Sequence, residues 1–383
     1  MTTTIIGAGP TGCYTAFKLA KKGIPTNVIE EHGAVGLPLQ CTGLVSENLK
    51  QVIDFPDKIV VNRINRAKFF FPKAEPVTFK GRAYVLDRVA FDQHLYEKAL
   101  LAGVKFYFNE RYNTFREGHL LQVNTSKRSI ESKMLVGADG PFSAVAKQIG
   151  VTNNVLYGMQ VRARGNFEVD TAELHFGSEY PGFFAWLVPE NAEVARIGLA
   201  AKENLADKLK SFLRNKGILK FIDQQGGAIP LDFHDEFVWD RVALVGDAAS
   251  QTKATTGGGL TTGMESAKIL VRAIDQCYKS EDFSKEFLHE NYVATWKKGI
   301  GKELKKAYYM RKTFDLFSDE DFLEFGKVIG SKDFKETLEA NVDMEMYSKF
   351  IGKAVLHPKV MMFMVKMGIK HPGIIKNVFS ALL

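Results

Sequence analysis

The sequence predicts an α/β fold in which a nucleotide-binding unit carries an inserted antiparallel sheet and is followed by a helical C-terminal region. Three observations lead there. A β-branched run, Thr2 to Ile6, passes through a glycine-rich turn into a helix and a second strand, the order of a βαβ unit. After residue 150 the pattern changes to alternating, strand-like segments. From about residue 283 the chain reads as mostly helical.

In chain order, the first strand ends in Gly7-x-Gly9-x-x-Gly12, followed by a helix over roughly 12–22 and the strand "TNVIE", which closes on Glu30. Glycines so placed allow a tight turn and let backbone N–H groups at the helix start approach a pyrophosphate. Glu30 comes eighteen residues after Gly12, where a carboxylate accepts hydrogen bonds from an adenosine ribose. Its charge favours a free ribose over a 2′-phosphorylated one. Helical periodicity in "YVLDRVAFDQHLYEKALLAG" then leads to the strand "VKFYF", and "RSIESKMLVGADG" reads as one further strand ending in a turn. The segments "VLYGMQVRARG", "AELHFGS", "FFAWLVP" and "VARIGLAA" form the expected antiparallel sheet, after which "RVALVGDAA" returns to the α/β pattern. The domains expected are a discontinuous nucleotide-binding domain at 1–150 and 235–282, with a short excursion near 60–82 into the substrate domain; a sheet domain at 151–234; and a helical region at 283–383.

A chain of 383 residues exceeds one ordinary core, so more than one domain is expected. The three cysteines, Cys13, Cys41 and Cys277, are too few and too scattered for a disulfide framework or a four-cysteine metal or iron–sulfur site, and no metal is expected. The opening "MTTTIIGAGP" has no basic region and no apolar core of signal-peptide length, and no apolar run reaches the roughly eighteen residues of a membrane span. The expectation is a cytoplasmic protein, with peripheral contact at the inner membrane face left open. Part of the net charge of +7 is local: "WKKGIGKELKKAYYMRK" (296–312) holds seven Lys/Arg and one Glu. A solvated helix face, an anionic membrane and an acidic protein partner all fit such a run. Nucleic acid is disfavoured, because no recognised binding motif accompanies the charge.

Two later segments decide which dinucleotide is bound. "LVGADGPFSAV" and "RVALVGDAASQTKATTGGGL" each place an Asp beside Gly after an apolar strand. Asp139 and Asp247 are both ordinary turn residues and candidate ligands. Asp247 could accept from a ribityl hydroxyl, and Gly257, Gly258 and Gly259 could bring backbone amides to a flavin ring, which selects FAD over NAD. Arg88 suits a pyrophosphate partner or a plain helix surface. A Rossmann-like FAD-binding domain with an inserted antiparallel β-sheet substrate domain and a C-terminal helical region is therefore expected.

With GxGxxG, "GADG" and "GD" in this order, the sequence resembles the flavoprotein superfamily of p-hydroxybenzoate hydroxylase type. Within it, "GLPLQCTGLVS", "YVLDRVAFDQHL", "PGFFAWLVPE" and "GDAASQTKATTGGG" resemble the geranylgeranyl reductase family, especially archaeal digeranylgeranylglycerophospholipid reductases, over roughly residues 1 to 280. The resemblance implies flavin contacts at Gly12, Glu30, Gln40, Cys41, Gly43, Arg88, Tyr112, Asp247, Gly259 and Leu260, and the glycine loop and turns read above add Gly7, Gly9, Asp139 and Gly258. Relatives often carry Arg where Gln40 stands. The family pattern P-x-x-Y-x-W-x-F-P runs from Pro181 to Pro189, with Phe184 for the Tyr and Val188 for the Phe, and implies a substrate pocket at Phe184, Trp186, Val188 and Pro189. On aromatic content alone the same segment could be a core strand.

Cys41 could be a packed thiol, but the resemblance sets it in a loop near the flavin, as a candidate catalytic residue that positions or protonates an alkene. The function implied is FAD-dependent reduction of isolated C=C bonds in geranylgeranyl chains of a prenyl lipid. An aromatic hydroxylase shares the scaffold. So does a halogenase, although no positioned Lys for it is identifiable. The absence of a second glycine fingerprint leaves reduced ferredoxin, NAD(P)H or a deazaflavin as electron donor. The Met-rich tail, 354–383, suits a helical cover over a lipid tunnel.

Overall fold

The computed structural model describes residues 2–339 and 357–382. Two large sheets organise them. The first has six strands in the order Val238–Trp239, Val242–Leu244, Met134–Gly137, Thr3–Ile6, Thr26–Ile29 and Lys105–Tyr107. All its pairs are parallel except Val238–Trp239 with Val242–Leu244. The strands around Thr3–Ile6 are buried on both faces, as parallel strands sandwiched by helices must be. From Thr3–Ile6 the sheet continues to Thr26–Ile29 on one side and Met134–Gly137 on the other, so the crevice where ligands bind lies at its carboxyl end, at Gly7.

The first helix, Pro10–Ala20, starts two residues earlier than the sequence suggested. Pro10 stands at its first position, where a missing N–H costs nothing. Helices Arg88–Leu101 and Leu260–Ser280 pack beside it. The stretch read as one strand in "RSIESKMLVG" is two: Ser129–Ser132 belongs to a small three-stranded sheet, and Met134–Gly137 to the six-stranded one. Lys133 is the crossing point, and apolar pattern alone does not reveal a change of sheet.

The second sheet has eight strands, in the order Phe221–Pro230, Val155–Arg164, Val194–Ala201, Ala185–Pro189, Thr171–His175, Val60–Phe70, Val77–Leu86 and Leu44–Ser46. Three strands from the first half of the chain thus complete the sheet. Pairing is antiparallel throughout except where Thr171–His175 meets Val60–Phe70. One face buries Leu209, Phe212 and Leu213 of helix Leu205–Asn215. The opposite face looks toward the C-terminal helices Ile300–Phe314 and Asp319–Gly330. The latter begins with a capping box between Ser318 and Asp321. Lys370 and His371, from the end of the tail helix Pro358–Lys370, close on the Asp321 carboxylate at 2.7 and 3.0 Å.

Candidate active site

At the end of the first strand, Gly7 has φ +99, and a Cβ there would lie 2.4 Å from the Ala138 carbonyl oxygen. Only glycine fits. Gly12 is under the same constraint, since its Cβ would fall 2.1 Å from Gly7 O. Gly9 differs: it caps the first helix with no side-chain bond, and nothing lies within 4 Å of where its Cβ would be. The helix start therefore presents backbone N–H groups to open space, which suits a pyrophosphate. Glu30 stands alongside, its Oε2 accepting from the Ala8 N–H at 2.7 Å and its Oε1 from the His32 N–H at 2.9 Å.

From this loop a line of close approaches runs toward the second sheet. A Cβ on Gly246 would lie 3.0 Å from Thr11 Oγ1, and one on Gly259 would lie 2.9 Å from Asp247 Oδ1. Burial pushes the Asp247 carboxyl up to about 6, against the pull of the Arg88 guanidinium. Arg88 is buried and paired with Asp92, at 3.2 and 3.1 Å. Burial pulls the guanidinium down, but the Asp92 carboxylate outweighs that and holds it above its ordinary value. Cys41 Sγ accepts from the Gly43 N–H at 3.3 Å. An extended dinucleotide fits this run of glycines, acids and one arginine from Glu30 to Cys41.

Beyond Cys41 opens a cavity of about 500 Å³. Gln40, Cys41, Gly43, Gly258, Gly259 and Leu260 line its near end. Phe184, Trp186 and Val188 line a wall, one face of the strand Ala185–Pro189 and the residue before it. Pro189 alternates to the opposite face and does not line the cavity, so the pocket takes three of the four residues read from the motif. Phe183 and Phe184 stack at 4.2 Å, and Phe184 meets Trp186 edge-on at 6.1 Å. The far end is aromatic, with Phe71 and Phe176 from the sheet side and Phe314, Phe322 and Phe325 from the C-terminal helices.

The side chains of two residues expected at the cofactor are engaged elsewhere. The Asp139 carboxylate caps the helix Ala144–Gln148, accepting from Ser143 Oγ and the Ala144 N–H, so the turn offers the glycine loop its backbone. Tyr112 donates its hydroxyl to Gln148 Oε1 at 2.6 Å, in the three-stranded sheet. The Met-rich tail was expected to cover the tunnel. Among the described residues, Met310 and Phe314 and the helix Asp319–Gly330 do so, and Phe363 of the tail packs behind them on Phe317 and Phe325. Residues 354–356 and Leu383 of that tail lie outside the described residues. Among those described, no helix is long and apolar enough to cross a membrane.

The sequence reading missed Gln160, Gln225 and Lys253 at the cavity. Lys253 is 8% exposed and lies beside Gly258. A lysine inside "TKATTGGG" was a visible signal.

No family model matches the chain. It is 29% identical to a digeranylgeranylglycerophospholipid reductase of Methanosphaera stadtmanae, over 84% of this chain and 88% of the relative. With another of that name from Methanococcoides burtonii it shares 27% identity over 87% and 88%. The fold matches a geranylgeranyl bacteriochlorophyll reductase-like protein of Thermoplasma acidophilum, with TM-score 0.84 and 19% identity over 96% and 98% of the two chains. It also matches a flavin-dependent brominase, with TM-score 0.73 and 16% identity over 97% and 99%. Over most of its length, then, the chain resembles the geranylgeranyl reductase family, on a fold it shares with a flavin-dependent enzyme.

Proposed function

We propose that this chain is an FAD-dependent reductase that saturates isolated C=C bonds in the geranylgeranyl chains of a prenyl lipid, an archaeal-type membrane phospholipid or its precursor. The observation that carries the reading is the cavity: apolar and aromatic for most of its length, and meeting the glycine loops at one end, around Cys41, Gly258 and Gly259. The names of the sequence relatives support the same substrate class. Reduced FAD, when bound, supplies a hydride. The residues of the chain do the rest. Gly7, Gly9, Gly12, Glu30 and Arg88 hold the dinucleotide, and Asp247, Gly258, Gly259 and Leu260 hold its flavin end. Phe184, Trp186 and Val188 lay the lipid chain along the wall and exclude water.

An isolated alkene has no carbonyl to stabilise developing charge, so a proton must reach one carbon as hydride reaches the other. Cys41 is the residue placed to provide it: its sulfur, which accepts from the Gly43 N–H, lines the cavity at the end nearest the glycine loops. Each double bond takes two electrons from reduced ferredoxin, NAD(P)H or a deazaflavin, and contact with the membrane is peripheral. A second reading, a monooxygenase or halogenase, has in its favour Lys253 at the same cavity.

The test is anaerobic. The flavin is reduced chemically, a digeranylgeranyl glycerolipid is added, and flavin reoxidation is followed while the lipid is weighed by mass spectrometry. Mass gained in steps of two hydrogens supports the reading, and full turnover by Cys41→Ala with intact flavin removes Cys41 from it. A flavin that stays reduced until oxygen enters, with lipid unchanged, favours the second reading.

A further inference from the structure

The Cys41 loop and the Trp186 wall come from distant parts of the chain, yet one oxygen joins them. Gln160 Oε1 accepts from Thr42 Oγ1 at 2.8 Å and from Trp186 Nε1 at 3.2 Å. Gln160 is 3% exposed, and its amide N–H donates to Gln225 Oε1 at 2.8 Å. Gln225 in turn donates to Asp223 Oδ1 at 3.2 Å, and Arg162 bridges Asp223 and Glu190 at 2.9 Å each. Glu190 Oε1 accepts from Arg196 Nε at 2.7 Å, and Arg196 Nη1 donates back to the Thr42 carbonyl. The ring is closed. Thr42 stands in it twice, by its hydroxyl and by its carbonyl, so the residue next to Cys41 is held from two directions.

Charge-assisted pairs are the strong bonds of such a ring, and burial makes Gln160, Glu190 and Arg196 costly to strip of their partners. Burial by the described residues pulls the Glu190 carboxyl up, but Arg162 and Arg196 hold it below the ordinary carboxylate range. The rigid side of the ring is therefore the Arg162, Glu190 and Arg196 side. Its neutral side, Thr42, Gln160 and Gln225, faces the cavity.

We propose that Gln160 is a positioning residue that sets the Cys41 loop against the Trp186 indole, so that thiol and substrate wall keep one spacing. This deepens the reductase reading, and the experiment separates the two. In the holoenzyme, Cys41 alkylation by iodoacetamide is timed by peptide mass spectrometry for wild type, Thr42→Val, Thr42→Ser and Gln160→Leu, alongside Tm and the kcat and KM for lipid reduction. Loss of one net hydrogen bond frees the loop, and Cys41 alkylates about fivefold faster in Thr42→Val and Gln160→Leu. Thr42→Ser, which keeps the hydroxyl, returns the alkylation rate to the wild-type value. Turnover falls about tenfold or more in Gln160→Leu, chiefly in kcat, because misplacement acts on the reacting geometry. Equal alkylation rates in all four proteins overturn the proposal, as does a Gln160→Leu protein whose Tm falls while its kcat stays. A wild-type protein that reduces no prenyl lipid removes the reductase reading, and the alkylation rates still decide this one.

Discussion

The guanidinium of Arg196 fills the space that a side chain at residue 43 would need: a Cβ on Gly43 would lie 2.6 Å from Nη1. The Leu86 carbonyl oxygen closes the same space at 2.7 Å, and Gly43 has φ +73. The arginine, though flexible, has nowhere to retreat, being bonded to Glu190, Thr42 and Leu86.

Gly43→Ala should therefore cost about 2 kcal/mol or more, from backbone strain and the clash together. Thermal unfolding and flavin content of the purified protein check it. An unchanged Tm would mean that the loop has an alternative path.

Thiol titration should find one reactive cysteine per native chain and three after denaturation. Cys13 and Cys277 have no exposed surface, while Cys41 is half-buried at the cavity. Burial also raises both buried thiols above their ordinary range. Two fast thiols in the native protein would contradict that placement.

Gly81 lines the cavity, between Phe79 and Ala83 on the same face of its strand, and nothing lies within 4 Å of where its Cβ would be. Gly81→Leu should fold as well as wild type, since a strand glycine is itself unfavourable by about 0.5–1 kcal/mol. It should raise KM for a long prenyl chain more than for a short one. Equal KM changes for both would place the chain elsewhere.

In flavin-free protein, Asp247 should make stability fall as pH rises. Its carboxyl is raised from 3.8 to about 6, so the folded state binds the proton more tightly than the unfolded one. The contribution is complete below 3.8 and is lost on passing about 6. Asp247→Asn should escape that loss and gain on the order of 2 kcal/mol over wild type at pH 7. Urea unfolding at pH 4 and pH 7 measures it, and parallel pH profiles would refute it.

The near end of the site was legible in the sequence because backbone geometry dictates residue type there. Gly7, Gly12 and Gly43 answer to positive φ or to contacts under 3 Å, and Glu30 and Asp247 follow strands at fixed distances from those turns. The alternation of Phe184, Trp186 and Val188 was legible too, and it is the same alternation that turns Pro189 away. The far end was not. Phe314, Phe322 and Phe325 look like ordinary core positions of helices, and no local pattern says which cavity a distant helix will cover. Gln160 and Arg196 were missed for another reason: polar residues in alternating strands read as a solvent face, whereas here both are buried and bonded to each other's partners.

The parallel pairing of Thr171–His175 with Val60–Phe70 has a consequence for synthesis. Strands made early, within residues 44–86, are three of the eight in the sheet, and the other five leave the ribosome only between residues 155 and 230. Until then Phe69, Phe71 and Phe79 have no sheet to complete and no cavity to line. A nascent chain halted near residue 150 should therefore carry a sticky, half-built sheet beside a nucleotide-binding unit still lacking the strand Val242–Leu244. Its release from chaperones should wait for the last strands of the insertion to arrive.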